Sequence, residues 1–367
     1  MKSLSAFVLI LVLLLAGSGC RIAILDCLES DATCNSRKLL GYLLLALPRT
    51  NVPDTGQLIC SDDSGNPIPC SSVTFPGQDA FYFSTPAPIS LAVNPSGLTV
   101  SDGTTGLIWQ RCPRNAANDC SGAATTDLHG NQETYCAGLT LDGLQWRLPT
   151  LRELIYIANY ELSAPSFDTA IFPQTITGLD LWSSTTFHFN GTDKWAITTS
   201  NATYAQADPV GFSFAVQCVS GANKPTRWTV LGDFAGIAYD PTSVLMATRC
   251  TLNGSGVPDE ASPGVCLSTG TAINWQTALQ SCENLDYGGY SDWRLPSIKE
   301  LATVKDYSYA SPAFDPMVFP MSAVNRYWSS TTNTTNIAAA WAIDVSDSTN
   351  YTTGKTTLYF TRCVRGP

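Results

Sequence analysis

Histidine is nearly missing from this sequence: only His129 and His188 occur in 367 residues. Neither stands in a metal-ligand spacing, so both read as satisfied surface side chains. The HExxH, P-loop and GxSxG patterns are missing too, which removes the motif-borne routes to metal hydrolysis, phosphate binding and serine catalysis. Basic residues are in short supply, with 20 Lys and Arg against 30 Asp and Glu and a net charge of −10. Nucleic acid, heparin-like polyanions and acidic lipid all need basic patches, so this balance argues against them as partners. Long apolar runs are absent as well. Ala6–Ala16 is too short to span a bilayer, and no later stretch reaches the roughly 18 apolar residues of a membrane span. Leu39–Leu47 reads instead as a buried helix or a packing strand.

What is present begins with MKSLSAFVLILVLLLAGSGC. A short basic start, an apolar core and small residues leading to Cys20 form a signal peptide over residues 1–19. A cysteine directly after such a core is expected to carry a lipid and become the new N-terminus. Gly17 departs from the usual Leu, and the plainer alternative is ordinary cleavage near Gly19. No Asp follows Cys20 to argue for inner-membrane retention, so an outer-membrane lipoprotein of a bacterial envelope is expected. The 13 cysteines agree with export: setting Cys20 aside leaves an even number for bridges in an oxidising compartment. A hydrophobic share of 44% with nine Trp is enough for real cores, and the length suggests two or three domains.

The strongest signal is internal repetition. WRLPTLREL at 146–154 returns as WRLPSIKEL at 293–301, with Trp, Arg, Leu, Pro, Glu and Leu unchanged. Trp146 and Trp293 stand 147 apart, while WSSTT at 182–186 and at 328–332 stand 146 apart. PSFDTAIFP (165–173) maps to PAFDPMVFP (312–320), Trp195 to Trp341, Cys136 to Cys282 and Cys218 to Cys363. Offsets this constant mean two copies of one domain, placed at 97–221 and 226–367, after a Cys-containing lead-in at 20–96. GANKPT (221–226) reads as the linker, and so long a period means tandem globular domains rather than a solenoid.

Within each copy, Thr150-x-x-Glu153 and Ser297-x-x-Glu300 are capping boxes, and Pro149 and Pro296 hold the preceding residue extended. Each phrase is therefore a strand end, a turn and a helix start. Leu151, Leu154, Ile155 and Ala158 share a helical face, as do Ile298, Leu301 and Ala302. An earlier helix is clear in copy two, through Ile273, Ala278, Leu279 and Cys282, and weaker in copy one, at NQETYCAGL. Short Trp-, Thr- and Tyr-rich strands follow, so the fold class expected is α+β.

TGLIWQRC (105–112), the helical cysteine, WRLP-T-x-R-E-L, FDxxxFP, WSSTT and the terminal R-C-V-R (362–365) together resemble the Lcl C-terminal domain family, in two tandem copies. The family takes its name from a collagen-like adhesin. Residues 54–70 and 77–80 look like the lead-in found before such domains. The resemblance implies two tandem C-type-lectin-like domains, each of two helices and short twisted antiparallel strands. Formylglycine-generating enzymes and the variable proteins of diversity-generating elements share that fold. Copy one departs with QWRLP for DWRLP and Gln217-Cys218-Val219-Ser220 for RCVR; copy two departs at its start, where IAYDPTSVLMATRC replaces TGLIWQRC. In C-type-lectin-like domains a helix cysteine meets the last strand, which implies Cys136–Cys218 and Cys282–Cys363. The leftovers then pair locally as Cys112–Cys120 and Cys250–Cys266, with Cys60–Cys70 and Cys27–Cys34 upstream.

Function follows less directly. Trp146, Arg147, Pro149 and Glu153, with Trp293, Arg294, Pro296 and Glu300, are expected to be structural, as are Trp182 and Trp328 of WSSTT. The alternative for WSSTT is an indole platform with hydroxyls, suited to a sugar or a peptide. The loops after WSSTT are the candidate ligand surface: Phe187, His188, Phe189 and Asn190 in copy one, and Asn333 to Asn336 in copy two. No cofactor is expected. Calcium is left open through loops such as those of Asp286 and Asp292, although the sugar-binding tripeptides of true C-type lectins are absent. The favoured reading is a non-enzymatic envelope lipoprotein acting in recognition or adhesion, with a glycan or protein ligand. The alternatives are an enzyme of formylglycine-generating type, which needs free thiols, and a structural envelope protein with no small ligand.

Overall fold

Two residues set the start of a central helix in each copy. Thr150 Oγ1 accepts from the Glu153 amide, and the Glu153 carboxylate accepts from the Thr150 amide at 2.7 Å. Ser297 and Glu300 repeat this arrangement, with the carboxylate 2.9 Å from the Ser297 amide. Each side chain satisfies an amide that the first helical turn leaves unpaired.

The computed structural model describes residues 52–366 apart from 83, 84, 86 and 310. The signal segment, Cys20, the pair Cys27–Cys34 and the run 39–47 lie outside the described residues. Copy one contains β1 (Leu91–Val93), β2 (Thr99–Asp102), β3 (Ile108–Gln110), α1 (His129–Gly138), β4 (Trp146–Arg147), α2 (Leu151–Ile157), β5 (Asp180–Thr186), β6 (Lys194–Thr198), β7 (Tyr204–Ala207) and β8 (Val219–Ser220). Copy two contains β9 (Thr229–Val230), β10 (Ile237–Asp240), β11 (Leu245–Thr248), β12 (Glu260–Ser262), β13 (Val265–Cys266), α3 (Trp275–Glu283), α4 (Ile298–Val304), β14 (Arg326–Thr332), β15 (Ala339–Asp344), β16 (Asn350–Gly354) and β17 (Val364–Arg365). Among the described residues this is a mixed fold of four α-helices and small antiparallel sheets. No described helix is long and apolar enough to cross a membrane.

The sheets repeat with the sequence. Copy one carries β1-β2-β3-β8-β4 and β5-β6-β7; copy two carries β9-β10-β11-β17 and β14-β15-β16. Both WSSTT strands carry the same register irregularity, between Trp182 and Thr186 and between Trp328 and Thr332. Strand β1 pairs with β2, so the copy-one sheet begins before residue 97, inside the stretch read from sequence as lead-in. Helix α3 starts at Asn274, whose Oδ1 accepts from the Thr277 amide at 2.9 Å. Ile273 lies just ahead of that helix, bridges Tyr359 and packs in one cluster with Ala278, Leu279 and Cys282 of its apolar face. Helix α1 starts at Leu128 with no side-chain cap, which is why its sequence signal is weak. Among the described residues five disulfides are formed: Cys60–Cys70, Cys112–Cys120, Cys136–Cys218, Cys250–Cys266 and Cys282–Cys363.

The copies do not stand apart as separate globules. Both fall within one compact unit, and one apolar core runs through both, from Leu151, Leu154 and Ile155 of α2 to Ile298 and Leu301 of α4. The contacts across this seam are reciprocal. Tyr160 packs edge-on against Trp341 at 5.3 Å, and its repeat partner Tyr307 packs edge-on against Trp195 at 6.0 Å. Equivalent positions also meet their own counterparts. Tyr156 Oη lies 2.7 Å from Thr303 Oγ1, and the Tyr204 amide donates to Asn350 Oδ1 at 3.0 Å. Such reciprocity defines an isologous interface, here formed within one chain around a local two-fold axis.

Lys305 breaks the symmetry. Its Nζ donates to the Ser348 carbonyl and lies 3.8, 5.2 and 5.3 Å from the ring centres of Tyr307, Tyr204 and Trp195. Burial holds its pKa well below the usual lysine value. Its counterpart in copy one is Ala158.

The shared core makes a direct prediction. Trp341→Ala removes the partner of Tyr160 and should cost about 3–5 kcal/mol in denaturant unfolding. A cost below about 1 kcal/mol would mean the seam adds little.

Candidate functional site

The repeated phrases build the scaffold first. Trp146 and Trp293 are buried, and their indole Nε1 groups donate to the carbonyls of Leu141 and Tyr287, both at 3.1 Å. Arg147 forks onto the carboxylate of Glu153, with Nη1 at 2.8 Å from Oε2 and Nη2 at 2.6 Å from Oε1. Arg294 does the same with Glu300, its Nη2 lying 2.5 Å from Oε1. One carboxylate thus closes the capping box and anchors the arginine. In copy two the pair is almost dry, with side chains 7% and 0% exposed, against 30% and 8% in copy one.

WSSTT is equally internal. Trp182 and Trp328 are fully buried and donate to the carbonyls of Asp127 and Ile273. Ser183 and Ser329 each donate to the Trp195 or Trp341 carbonyl at 2.7 Å. Thr185 and Thr331 accept from the first helical amides, those of Leu151 and Ile298, at 3.0 and 2.9 Å. Two of the substitutions among the family departures noted in copy one are coupled. Arg365 forks onto Asp292 at 2.6 and 2.9 Å, while the matching positions in copy one hold Gln145 and Ser220. This ion pair occupies Asp292, a residue read from sequence as a calcium candidate. Among the described residues, no group of three His, Cys, Asp or Glu side chains is placed to hold a metal ion.

His129 corrects its sequence reading. It is buried, not on the surface, with Nε2 3.1 Å from the Ser183 carbonyl and its ring edge-on to Trp182. Burial lowers its pKa. His188 is exposed on the loop after β5.

Residues 52–82 cover copy two. Asp79 is buried at the junction, and its Oδ2 accepts from Thr331 Oγ1 at 2.6 Å and Thr55 Oγ1 at 2.7 Å. Gln57 bridges the backbone of Thr332, accepting from its amide at 2.7 Å and donating to its carbonyl. Lys299 Nζ donates to the carbonyls of Asp54 and Tyr156, both at 2.8 Å, and so ties lead-in, copy one and copy two together. Burial and the nearby Asp54 charge push the Asp79 carboxyl up to about 7, and burial pulls Lys299 down to about 7. Gln57 and Asp79 fall inside the lead-in segments 54–70 and 77–80 picked out in the sequence, but their roles were not legible, because a single Asp or Gln in a turn-rich segment carries no periodic signal.

The two loops after WSSTT lie at equivalent places across the seam. On one side Phe187 packs against Phe189 and Trp195, both at 5.2 Å, while His188 and Asn190 stay exposed. On the other, a cleft of about 150 Å³ opens, lined by Tyr160, Ser163, Asn201, Asn333, Thr335 and Thr352, with Trp341 beside Tyr160. Asn201 and Asn333 use their side-chain oxygens to hold their own loops, at Thr203 and Thr335. Asn336 closes the second loop, its backbone amide donating to the Asn333 carbonyl at 3.1 Å. Tyr160 and Asn201 belong to copy one, so neither loop could be paired with them from sequence. A larger but shallower hollow of about 540 Å³ lies against α1, yet its charged groups are already engaged. Arg114 pairs with Asp127 at 3.3 Å and sits 4.8 Å over Tyr135.

The Lcl C-terminal domain family matches residues 98–220 and 236–365, one match for each copy, and the chain belongs to that family. No curated protein matches it.

Two predictions follow from this geometry. Glu300→Gln breaks a dry pair and should cost about 3–5 kcal/mol, while Glu153→Gln, beside a wetter arginine, should cost about 1 kcal/mol. Equal costs in urea unfolding would refute this account of the arginines. For Asp79, the native pKa is raised, so the native state holds a proton that the unfolded chain has released. Stability from this group is complete below about pH 4 and is lost as pH rises towards 7. Relative to Asp79→Asn, the wild-type protein should lose about 2–4 kcal/mol between pH 4 and pH 7.5. Parallel urea midpoints for the two proteins across that range would contradict it.

Proposed function

We propose that this member of the Lcl C-terminal domain family is an exported, non-enzymatic recognition module that holds a sugar ring in the cleft between its copies. The cleft is the observation that carries the reading. Hydroxyls of Ser163, Thr335 and Thr352 and amides of Asn201 and Asn333 surround it, beside the rings of Tyr160 and Trp341. That mixture of neutral donors, acceptors and aromatic edges suits a polyol rather than an ion. At about 150 Å³ it is smaller than pockets for drug-sized ligands, so it admits one ring or the end of a chain. Sites also favour interfaces between domains, and this cleft takes residues from both copies.

Five disulfides support export to an oxidising compartment. A lipid on Cys20 would hold the module at the bacterial envelope, where adhesion is the natural use. A C-type-lectin-like arrangement belongs to the same reading, with a helix cysteine bonded to a cysteine next to the last strand in each copy. All ten described cysteines are bonded, which speaks against formylglycine-type thiol chemistry.

A glycan array with the full chain tests the proposal. Binding is expected, and Thr352→Val and Ser163→Ala should each weaken it by about fivefold, the worth of one hydrogen bond of about 1 kcal/mol. Failure to retain any glycan, or retention that neither variant changes, would overturn it.

A further inference from the structure

The lead-in covers only one of two equivalent faces. In copy two, Ser330, Thr331, Thr332, Lys299 and Glu300 are at most 2% exposed beneath residues 52–82. Of their equivalents in copy one, Glu153 is also buried, but Ser184, Thr185, Thr186 and Arg152 are only partly so. The chemistry that receives the lead-in is nonetheless repeated. Thr185 Oγ1 accepts from the Leu151 amide as Thr331 Oγ1 does from Ile298, which leaves its proton for an outside acceptor. In copy two that proton goes to Asp79. Thr186 occupies the place whose backbone Gln57 bridges in copy two. Arg147 matches Arg294, whose guanidinium lies 5.3 Å over the ring of Tyr82. One change is specific to copy one: Lys194 stands where copy two has Ala340, and its Nζ donates to Thr186 Oγ1 at 2.9 Å. Beyond Thr150 and Arg152, a narrow crevice of about 40 Å³ runs against Asn223 and Lys224 of the linker.

We propose that the Thr185–Thr186 face of copy one docks an extended acidic segment of a partner protein, in the manner in which copy two docks residues 52–82. The occupant places a carboxylate on Thr185 Oγ1, as Asp79 is placed on Thr331, and a side-chain amide on the backbone of Thr186, as Gln57 is on Thr332. An aromatic ring on Arg147 completes the pattern. Lys194 beside Thr186 and the exposed Lys224 of the linker make this face basic on a protein whose net charge is −10, which selects an acidic partner; Arg152 turns its Nη2 to the Lys305 carbonyl instead. Residues 52–82 are already engaged on copy two, and the occupant proposed here is another protein. This site is distinct from the cleft at Tyr160 and Trp341 and does not depend on sugar binding there.

The probe is a labelled peptide with the sequence of residues 52–82, its Cys60–Cys70 bond formed, titrated into the full chain by fluorescence anisotropy. Binding is expected, weakened about tenfold by Lys194→Glu in the protein and by Asp79→Asn in the peptide. Thr185→Val should weaken it too, and Lys194→Glu, which leaves the helix cap intact, keeps the test independent of any folding defect in that variant. No binding at millimolar peptide, or binding indifferent to Lys194→Glu, overturns the proposal. Binding lost on Thr331→Val but kept on Lys194→Glu also overturns it, since the peptide would then be exchanging with the covalent lead-in on copy two.

Discussion

Everything in this molecule depends on the reciprocal packing of Tyr160 on Trp341 and Tyr307 on Trp195. Each copy keeps a smaller cluster of its own, around Trp146 and Trp182 or around Trp293 and Trp328, but a further core is shared between them. The apolar faces of α2 and α4 turn towards one seam, and each copy supplies the aromatic that covers the other's tryptophan. A domain of about 130 residues can bury a core alone, but these two bury one together, as an obligate homodimer does. Joining the halves in one chain then frees them to diverge. Lys305 against Ala158, Arg362 against Gln217 and Lys194 against Ala340 are all differences at equivalent sites.

That divergence is where function becomes legible. Arg362 is buried among Phe314 and Phe319, and burial pulls it down to about 10; it donates to the Thr248 and Arg249 carbonyls. Gln217 takes the same place with a neutral amide, reaching the Gln110 carbonyl at 3.0 Å. Such exchanges keep the backbone partners satisfied while changing charge, so they are structural compensation. The changes beside Thr186 and in the loops after WSSTT are different. They change what each copy presents at its surface: Lys194 reaches Thr186 Oγ1 in copy one where copy two has Ala340, and the loop aromatics Phe187 and Phe189 stand where copy two has Asn333 and Thr335.

The sequence declared some of this and hid the rest for identifiable reasons. Capping boxes were readable because a hydroxyl and a carboxylate three residues apart form a local pattern. Helix α1 was faint because Leu128 offers no cap. The start of copy two looked divergent because Val244, at φ 59°, replaces Gly106, at φ 75°; yet Asp102 and Asp240 close the same turn onto Thr105 and Ser243. The seam was invisible because its partners, such as Tyr160 with Trp341 and Tyr307 with Trp195, stand more than a hundred residues apart and carry no periodicity. Asp79 and the cleft were hidden for the same reason: each needs two distant segments before it exists.

Scanning calorimetry of the full chain tests the central claim most directly, because a shared core has no independent halves. The account predicts a single transition covering both copies, with calorimetric and van't Hoff enthalpies in agreement. Two separable transitions, with Trp341→Ala moving only one of them, would contradict it.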